Sequence, residues 1–308
     1  MGAIVAGALT ALQSRVNGEL SFRLGNGLQA AVISFGSGMI ILCLLLFVIP
    51  PMRRGLLAIP GAVRRHELAW WQLLGGIGGA FFVAVQTVVV PTIGVALFIV
   101  SVVAGQTVNS LYVDRLGLGP TGRTAITPRR IAAAAISIIA VLLSVSDKLG
   151  TATFSLVAIV AGVAAGAVIA AQQALNGRVS AVAKSPLTAA WINFAVGTVV
   201  LVSVLTVRTA AAGPALSGAR QSWWLYTGGP IGVVFISVAA LVIGHLGVLL
   251  FSLCQVAGQV LGALAIDEFV PAHGETITAA TLLGAALTLF AVVVGAGLLR
   301  RLRLRIQG

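Results

Sequence analysis

Residues 7–40 read GALTALQSRVNGELSFRLGNGLQAAVISFGSGMI and residues 166–199 read GAVIAAQQALNGRVSAVAKSPLTAAWINFAVGTV; aligned without gaps, 13 of 34 positions are identical. A second pair of segments, 70–114 and 223–267, repeats in the same way. It matches Trp70, Trp71, Gly75, Gly76 and Gly79 to Trp223, Trp224, Gly228, Gly229 and Gly232, and Ala104, Gly105, Gln106 and Asp114 to Ala257, Gly258, Gln259 and Asp267. Self-similarity over such lengths marks an internal duplication. The chain therefore reads as two copies of one unit, residues 1–148 and 149–308.

The content of each copy decides the fold class. Of the 308 residues, 59% are apolar and 8% charged, against about a quarter charged in an ordinary soluble domain. That excludes a soluble globular fold. Residues 28–50, 70–90 and 92–113 contain no Asp, Glu, Lys or Arg at all. In hydrocarbon the backbone must satisfy its own hydrogen bonds, and runs of about twenty residues suit helices and are too long for barrel strands. The apolar runs predict an all-α polytopic membrane protein with transmembrane helices at 3–22, 29–49, 69–90, 92–113, 129–146, 153–177, 187–207, 223–243, 246–265 and 278–299. Almost nothing separates the spans meeting at Pro91 and at His245, so each of those joins is expected to be a tight helical hairpin.

Five spans per copy is an odd number, so the second copy enters the membrane from the opposite side: an inverted-topology repeat, the plan of many secondary transporters. The net charge of +12 would suggest nucleic acid in a soluble chain, but here the basic residues sit mostly between apolar runs and read as topology signals. One side holds Arg53, Arg54, Arg64, Arg65, Arg115, Arg123, Arg129, Arg130, Arg178, Lys184, Arg300, Arg301, Arg303 and Arg305; the other holds Arg15, Arg23, Lys148, Arg208 and Arg220. This bias places both termini in the cytoplasm of a plasma-membrane protein, with Asp267, Glu268 and Glu275 facing outward. The first eleven residues lack the basic start of a secretory signal, so the N-terminus is expected to stay as the first helix. Cys43 and Cys254 lie in apolar runs without metal-ligand spacing, and His66, His245 and His273 have no ligand partners at metal spacing. No metal, cofactor or enzymatic constellation is expected.

Polar groups within spans are the functional candidates, because each costs free energy in hydrocarbon and must face the bundle or a wet cavity. Gln13 and Asn17 lie one turn apart in the first span, as Gln172 and Asn176 do in the sixth; Gln106 lies in the fourth and Gln259 in the ninth. Asn17 and Gln259 are expected at the outer level and Asn176 and Gln106 at the inner one, as two polar clusters flanking a central substrate cavity. The plainer readings are that each Asn-Gly pair ends or bends a helix and that the glutamines only hydrogen-bond helices together. The spacings Gly75/Gly79, Gly228/Gly232 and Gly258/Gly262 suit close helix packing. Glu19, with Arg15 four residues earlier, is the candidate coupling pair; its plainer reading is an ion pair that neutralises both charges.

The runs GALTALQSRVNGEL and AAVISFGSGMIIL, their echoes AAQQALNGRVS and AAWINFAVGTVVL, and the later VAGQTVNSLYVDRLG and VAGQVLGALAIDEF resemble the YdcZ-like branch of the drug/metabolite transporter superfamily. That resemblance implies two five-helix bundles with substrate held centrally, the fifth and tenth spans lying outside the cavity. Small multidrug exporters of the superfamily use a glutamate deep in the first helix, where this chain has Gln13. The expectation is a transporter that moves a small neutral or zwitterionic metabolite by alternating access. Its partners would be that solute and the lipid bilayer, not nucleic acid, with homodimerisation through peripheral helices compatible. A proton-coupled exporter of organic cations using Glu19 is the alternative within transport; a non-transporting assembly or lipid-handling protein is the alternative outside it.

Overall fold

The computed structural model describes residues 2–147, 155–213, 221–235, 238, 248–270 and 277–295, apart from 121 and 124. Among the described residues all regular structure is helical. The helices are α1 (Gly2–Leu24), α2 (Gly27–Val48), α3 (Pro50–Arg64), α4 (Gly75–Leu116), α5 (Pro128–Ser144), α6 (Leu156–Ala183), α7 (Pro186–Ala212), α8 (residues 228–235), α9 (Val248–Phe269) and α10 (Ala279–Gly295). Short 3₁₀ turns at Trp70–Leu74 and Trp223–Tyr226, the paired double-tryptophan sites, lead into α4 and α8.

Local chemistry fixes many of the ends. The side chains of Asn26, Ser155 and Ser185 accept hydrogen bonds from Gln29, Ala158 and Thr188 N–H, occupying donors that a helix start leaves free. Prolines open α3, α5 and α7, where a missing N–H costs nothing. Four helical runs are long and apolar enough to cross a membrane by length and composition: Gly27–Val48, Trp70–Leu116, Leu156–Ala183 and Pro186–Ala211. α1 has the length, but Arg15, Glu19 and Arg23 dilute its apolarity. Phe47 and Val157, 81% and 80% exposed, belong to an outer surface rich in large apolar side chains, as a lipid-facing wall requires.

Two segments depart from the sequence reading. The third and fourth spans form a single helical run broken at Gly94, whose φ of 78° and ψ of 170° no helix contains; the break falls three residues after Pro91. Gly78 lies against Val168 and Gln172, and Gly105 lies against Val163 and Ala167. Two residues 27 positions apart thus meet the same stretch of α6, so residues 75–93 and 95–116 are two limbs of a hairpin folded along that helix. The second departure is α3, which occupies what reads as a basic loop between spans. The matching join at His245 lies outside the described residues, as do His273, Glu275, Lys148, Arg220 and the four C-terminal arginines.

The first helix of each copy packs into the other copy. A Cβ on Gly7 would run into Gln255 O, and one on Gly258 into Ile4 O; in α6 and α4 a Cβ on Gly166 would run into Val102 O, and one on Gly105 into Val163 O. Each contact in α1–α9 recurs in α6–α4 at the positions the sequence repeat pairs with it. Only glycine permits helices to approach to this separation. α2 and α7 cross where Phe35 and Phe194, themselves repeat partners, stand with ring centroids 4.9 Å apart, each ring edge seated on the opposite helix at Gly197 and Gly38. α5 and α10 pair with each other through Ser144 and Gly284.

Candidate functional site

Near the α2–α7 crossing two amide clusters are buried. In the first, Asn17 Nδ2 donates to Gln86 Oε1 at 2.9 Å, Gln86 Nε2 donates to Ser14 Oγ at 2.5 Å, and Ser14 Oγ donates to Thr10 O at 2.9 Å. Asn17, Gln86 and Ser14 are each 0% exposed. Gln13 Nε2 donates to Gly228 O at 2.8 Å. In the second, Gln172 Nε2 donates to Asn193 Oδ1 at 2.6 Å and Asn176 Nδ2 donates to the same oxygen at 3.2 Å. Gln172 and Asn193 are 7% and 6% exposed, and Asn176 is half-buried.

The clusters share their frame. Asn17 lies against Gly228 at the start of α8 and Asn176 against Gly75 at the start of α4, and a Cβ at either glycine would crowd the asparagine oxygen. Asn17 Oδ1 is buried without a hydrogen-bond partner among the described residues, beside a helix N-terminus whose field favours electron-rich groups. Neither asparagine ends its helix, because α1 runs on to Leu24 and α6 to Ala183. The third partner is what differs: Gln86 from α4 completes the first cluster and Asn193 from α7 completes the second.

Gln106 and Gln259 stand apart from both asparagines' hydrogen bonds. Gln106 Nε2 donates to Gln173 Oε1 at 2.9 Å on the exposed side of α6, while Gln259 is 7% exposed in the α1–α9 contact, where its backbone N–H faces Gly7. Gln86 and Asn193 are the residues that sequence reasoning missed. Both are polar in otherwise apolar runs, and that signal was present; a search for polar residues identical in both copies passes over them, because Gln86 aligns with Ala239 and Asn193 with Ser34.

The ionic residues also resolve. Glu19 is held on both oxygens, by Arg15 Nη1 at 3.2 Å and by Arg23 Nε at 2.7 Å. Arg15 Nε donates to Val270 O at 3.0 Å, and the Arg23 guanidinium stands 6.0 Å from the Trp224 ring. Glu19 is thus the centre of a three-residue ladder along α1, where the sequence had suggested one pair. Its repeat position is Arg178, inside α6 and not in a loop, with a buried Nε that has no hydrogen-bond partner among the described residues. Asp267 lies within α9, two residues before its end, and reaches across to the break in α4: Val95 N–H and Ala96 N–H donate to its two carboxylate oxygens at 3.1 and 2.6 Å. Its partner Asp114 instead pairs with Arg130 at the start of α5.

Comparison with known proteins agrees with this architecture. The profile of the family described as "Putative inner membrane exporter, YdcZ" matches the chain twice, over residues 1–143 and 150–294. A solved structure described only as "Crystal structure of protein" superposes with a TM-score of 0.57 at 18% identity, covering 98% of this chain and 96% of that one; at that identity it speaks for the fold alone. No curated protein matches. The chain belongs to the YdcZ family of inner-membrane exporters and is a multi-pass, helical membrane transporter.

Proposed function

We propose that, as a member of this family, the chain is a secondary transporter of the drug/metabolite type that moves a small neutral or zwitterionic metabolite across the cytoplasmic membrane. It would do so by alternating access between two inverted five-helix repeats, residues 1–148 and 149–308, with ten spans and both termini in the cytoplasm. The observation that carries this reading is the pair of amide clusters: equivalent glutamines and asparagines, set against equivalent glycines at the starts of α4 and α8, on either side of a contact between equivalent phenylalanines. Residues that meet their own repeat partner straddle the axis relating the halves, and midplane sites at such an axis are the transporter arrangement.

In this reading Gln13, Asn17, Gln172 and Asn176 hydrogen-bond the solute, Gln86 and Asn193 hold the asparagines in position, and Gln106 and Gln259 line the approaches. Each cluster keeps one half-buried amide, Gln13 in the first and Asn176 in the second, through which a solute would reach it in turn as transport opens one cluster and closes the other. Amide groups offer donors and acceptors without charge, which suits a neutral or zwitterionic solute. The free Nε of Arg178 gives a solute carboxylate a place to be met. Both oxygens of Glu19 are occupied by arginines, which counts against its use as the cation site of an exporter.

A thermal-shift screen of the purified protein against a metabolite library identifies the solute, and uptake into proteoliposomes tests the site. Gln13→Ala and Asn176→Ala, at the two half-buried amides, are each expected to lower uptake at least tenfold with Tm near that of the wild type, whereas Asn17→Ala also strands the buried Gln86 oxygen and is expected to lower both. A large loss of Tm with uptake retained would make the amides structural, and transport of tetraphenylphosphonium strictly dependent on Glu19 would overturn the solute class.

A further inference from the structure

α3 has two sharply different sides. Met52, Gly55, Ile59 and Ala62 are buried, whereas Arg53, Arg54, Leu57 and Arg64 are exposed, Leu57 at 75%. The buried side is pinned to the join between α6 and α7: Gly55 sits against Ala183 O and Thr188, and Thr188 Oγ1 donates to Met52 O at 2.9 Å. At 15 residues the helix is about 23 Å long, too short and too charged to span a bilayer of about 30 Å. It follows α2 after one extended residue, Ile49, at the end of that span, where a short helix with one buried and one charged side suits the membrane interface. Just beyond it Trp70 and Trp71 are 66% and 41% exposed, and tryptophan favours the headgroup level.

Arg53, Arg54 and Arg64 make no ion pair among the described residues, while Arg65 is already engaged by Glu67. Arg53, Leu57 and Arg64 share one stripe of the helix and Arg54 adjoins it. Three uncompensated guanidinium groups beside an exposed leucine, on a helix lying at the interface, match the chemistry of anionic lipid: phosphates for the arginines, acyl chain for the leucine. The repeat-equivalent connection, residues 209–222, carries a single arginine, Arg220, so the charge is concentrated on one side of the molecule.

We propose that the exposed side of α3 is a docking surface for anionic phospholipid headgroups, held by Arg53, Arg54 and Arg64, and that lipid bound there steadies the α6–α7 join through Gly55 and Thr188. The surface stands independently of the solute and direction of transport. The test is thermal stability of the purified full chain, titrated with dioleoylphosphatidylglycerol, with dioleoylphosphatidylcholine and with inorganic phosphate. A saturable rise in Tm is expected with phosphatidylglycerol alone. The R53Q/R54Q/R64Q variant is expected to need at least fivefold more lipid for half the effect, while R123Q/R129Q, which removes two exposed arginines elsewhere, titrates like the wild type. Should the triple variant not purify, R53Q gives the same comparison with a smaller shift, and native mass spectrometry counts the adducts directly. An equal response to phosphatidylcholine or to phosphate, an unaltered R53Q/R54Q/R64Q titration, or an equal loss in R123Q/R129Q would each overturn the proposal.

Discussion

The two amide clusters are built on one plan and finished differently. Around Asn17 the chain of donors runs from Asn17 through Gln86 and Ser14, all three fully buried, to the backbone of α1; around Asn176 a single oxygen of Asn193 receives two amides, and Asn176 keeps part of its surface. A duplicated fold thus preserves the helix approach and the first-placed polar groups, while the residue that closes each cluster is free to come from a different helix. What the two copies share is packing; what separates them is the polar closure.

The strongest way to break the shared part is to fill its glycines. Gly105→Leu and Gly258→Leu would each drive a side chain into a carbonyl of the partner helix, where overpacking costs about 1–3 kcal/mol and often more against backbone. Both are expected to abolish the monodisperse folded peak in size-exclusion chromatography. Tolerance of one and not the other would show that the two contacts are unequal.

The polar closure comes next. Gln86→Leu strips partners from both Asn17 and Ser14 in a site without water access, at about 1–3 kcal/mol, and is expected to lower Tm clearly. Asn193→Leu orphans Gln172 and Asn176, but Asn176 is half-buried and can turn to water, so the expected loss of Tm is smaller while solute uptake falls as far. Equal losses of Tm would remove the distinction between a sealed and an accessible cluster.

Smaller again is the helix break. Asp267→Ala removes the carboxylate that caps Val95 and Ala96, a cap of about 1 kcal/mol, and amide hydrogen exchange is expected to rise at those two residues and little elsewhere. At the bottom lies Glu67. Its carboxyl is held below the usual range by the hydrogen bond from Arg65, while the Arg65 guanidinium is raised by the same contact. A depressed carboxyl contributes stability that is present above its unfolded value and lost as pH falls through the folded one. Both groups are solvent-exposed, and Glu67→Gln is expected to leave Tm unchanged at neutral pH as well as in acid.

Much of the fold was readable because hydrocarbon imposes simple rules. Apolar runs named the helices, and the repeat named the contacts: Gly105 and Gly258, paired by alignment, do make matching approaches. The misreadings have physical causes. Pro91 looked like the corner, yet proline is tolerated within a helix in an apolar bundle, and the reversal needs the positive φ that Gly94 adopts. The segment Pro50–Arg64 looked like a loop because its arginines outweighed the 3.6-residue spacing of Met52, Ile59 and Ala62. The partner of Asp267 was out of reach, because nothing local reveals that the start of a helix 171 residues earlier will supply its donors. Gln86 and Asn193 were hidden by the very repeat that exposed their neighbours.

The cap that Asp267 supplies also constrains how the molecule is made. Val95 and Ala96 are synthesised long before α9 exists, and until it arrives the second limb of α4 begins with two donors that its own helix leaves free. The limbs also lack α6, the helix they close upon. The joint of the first half's hairpin is therefore completed only by a residue near the far end of the chain, and before that its two donors are left to water at the membrane edge. A ribosome stalled before residue 267 would leave the nascent chain arrested with that joint unsealed.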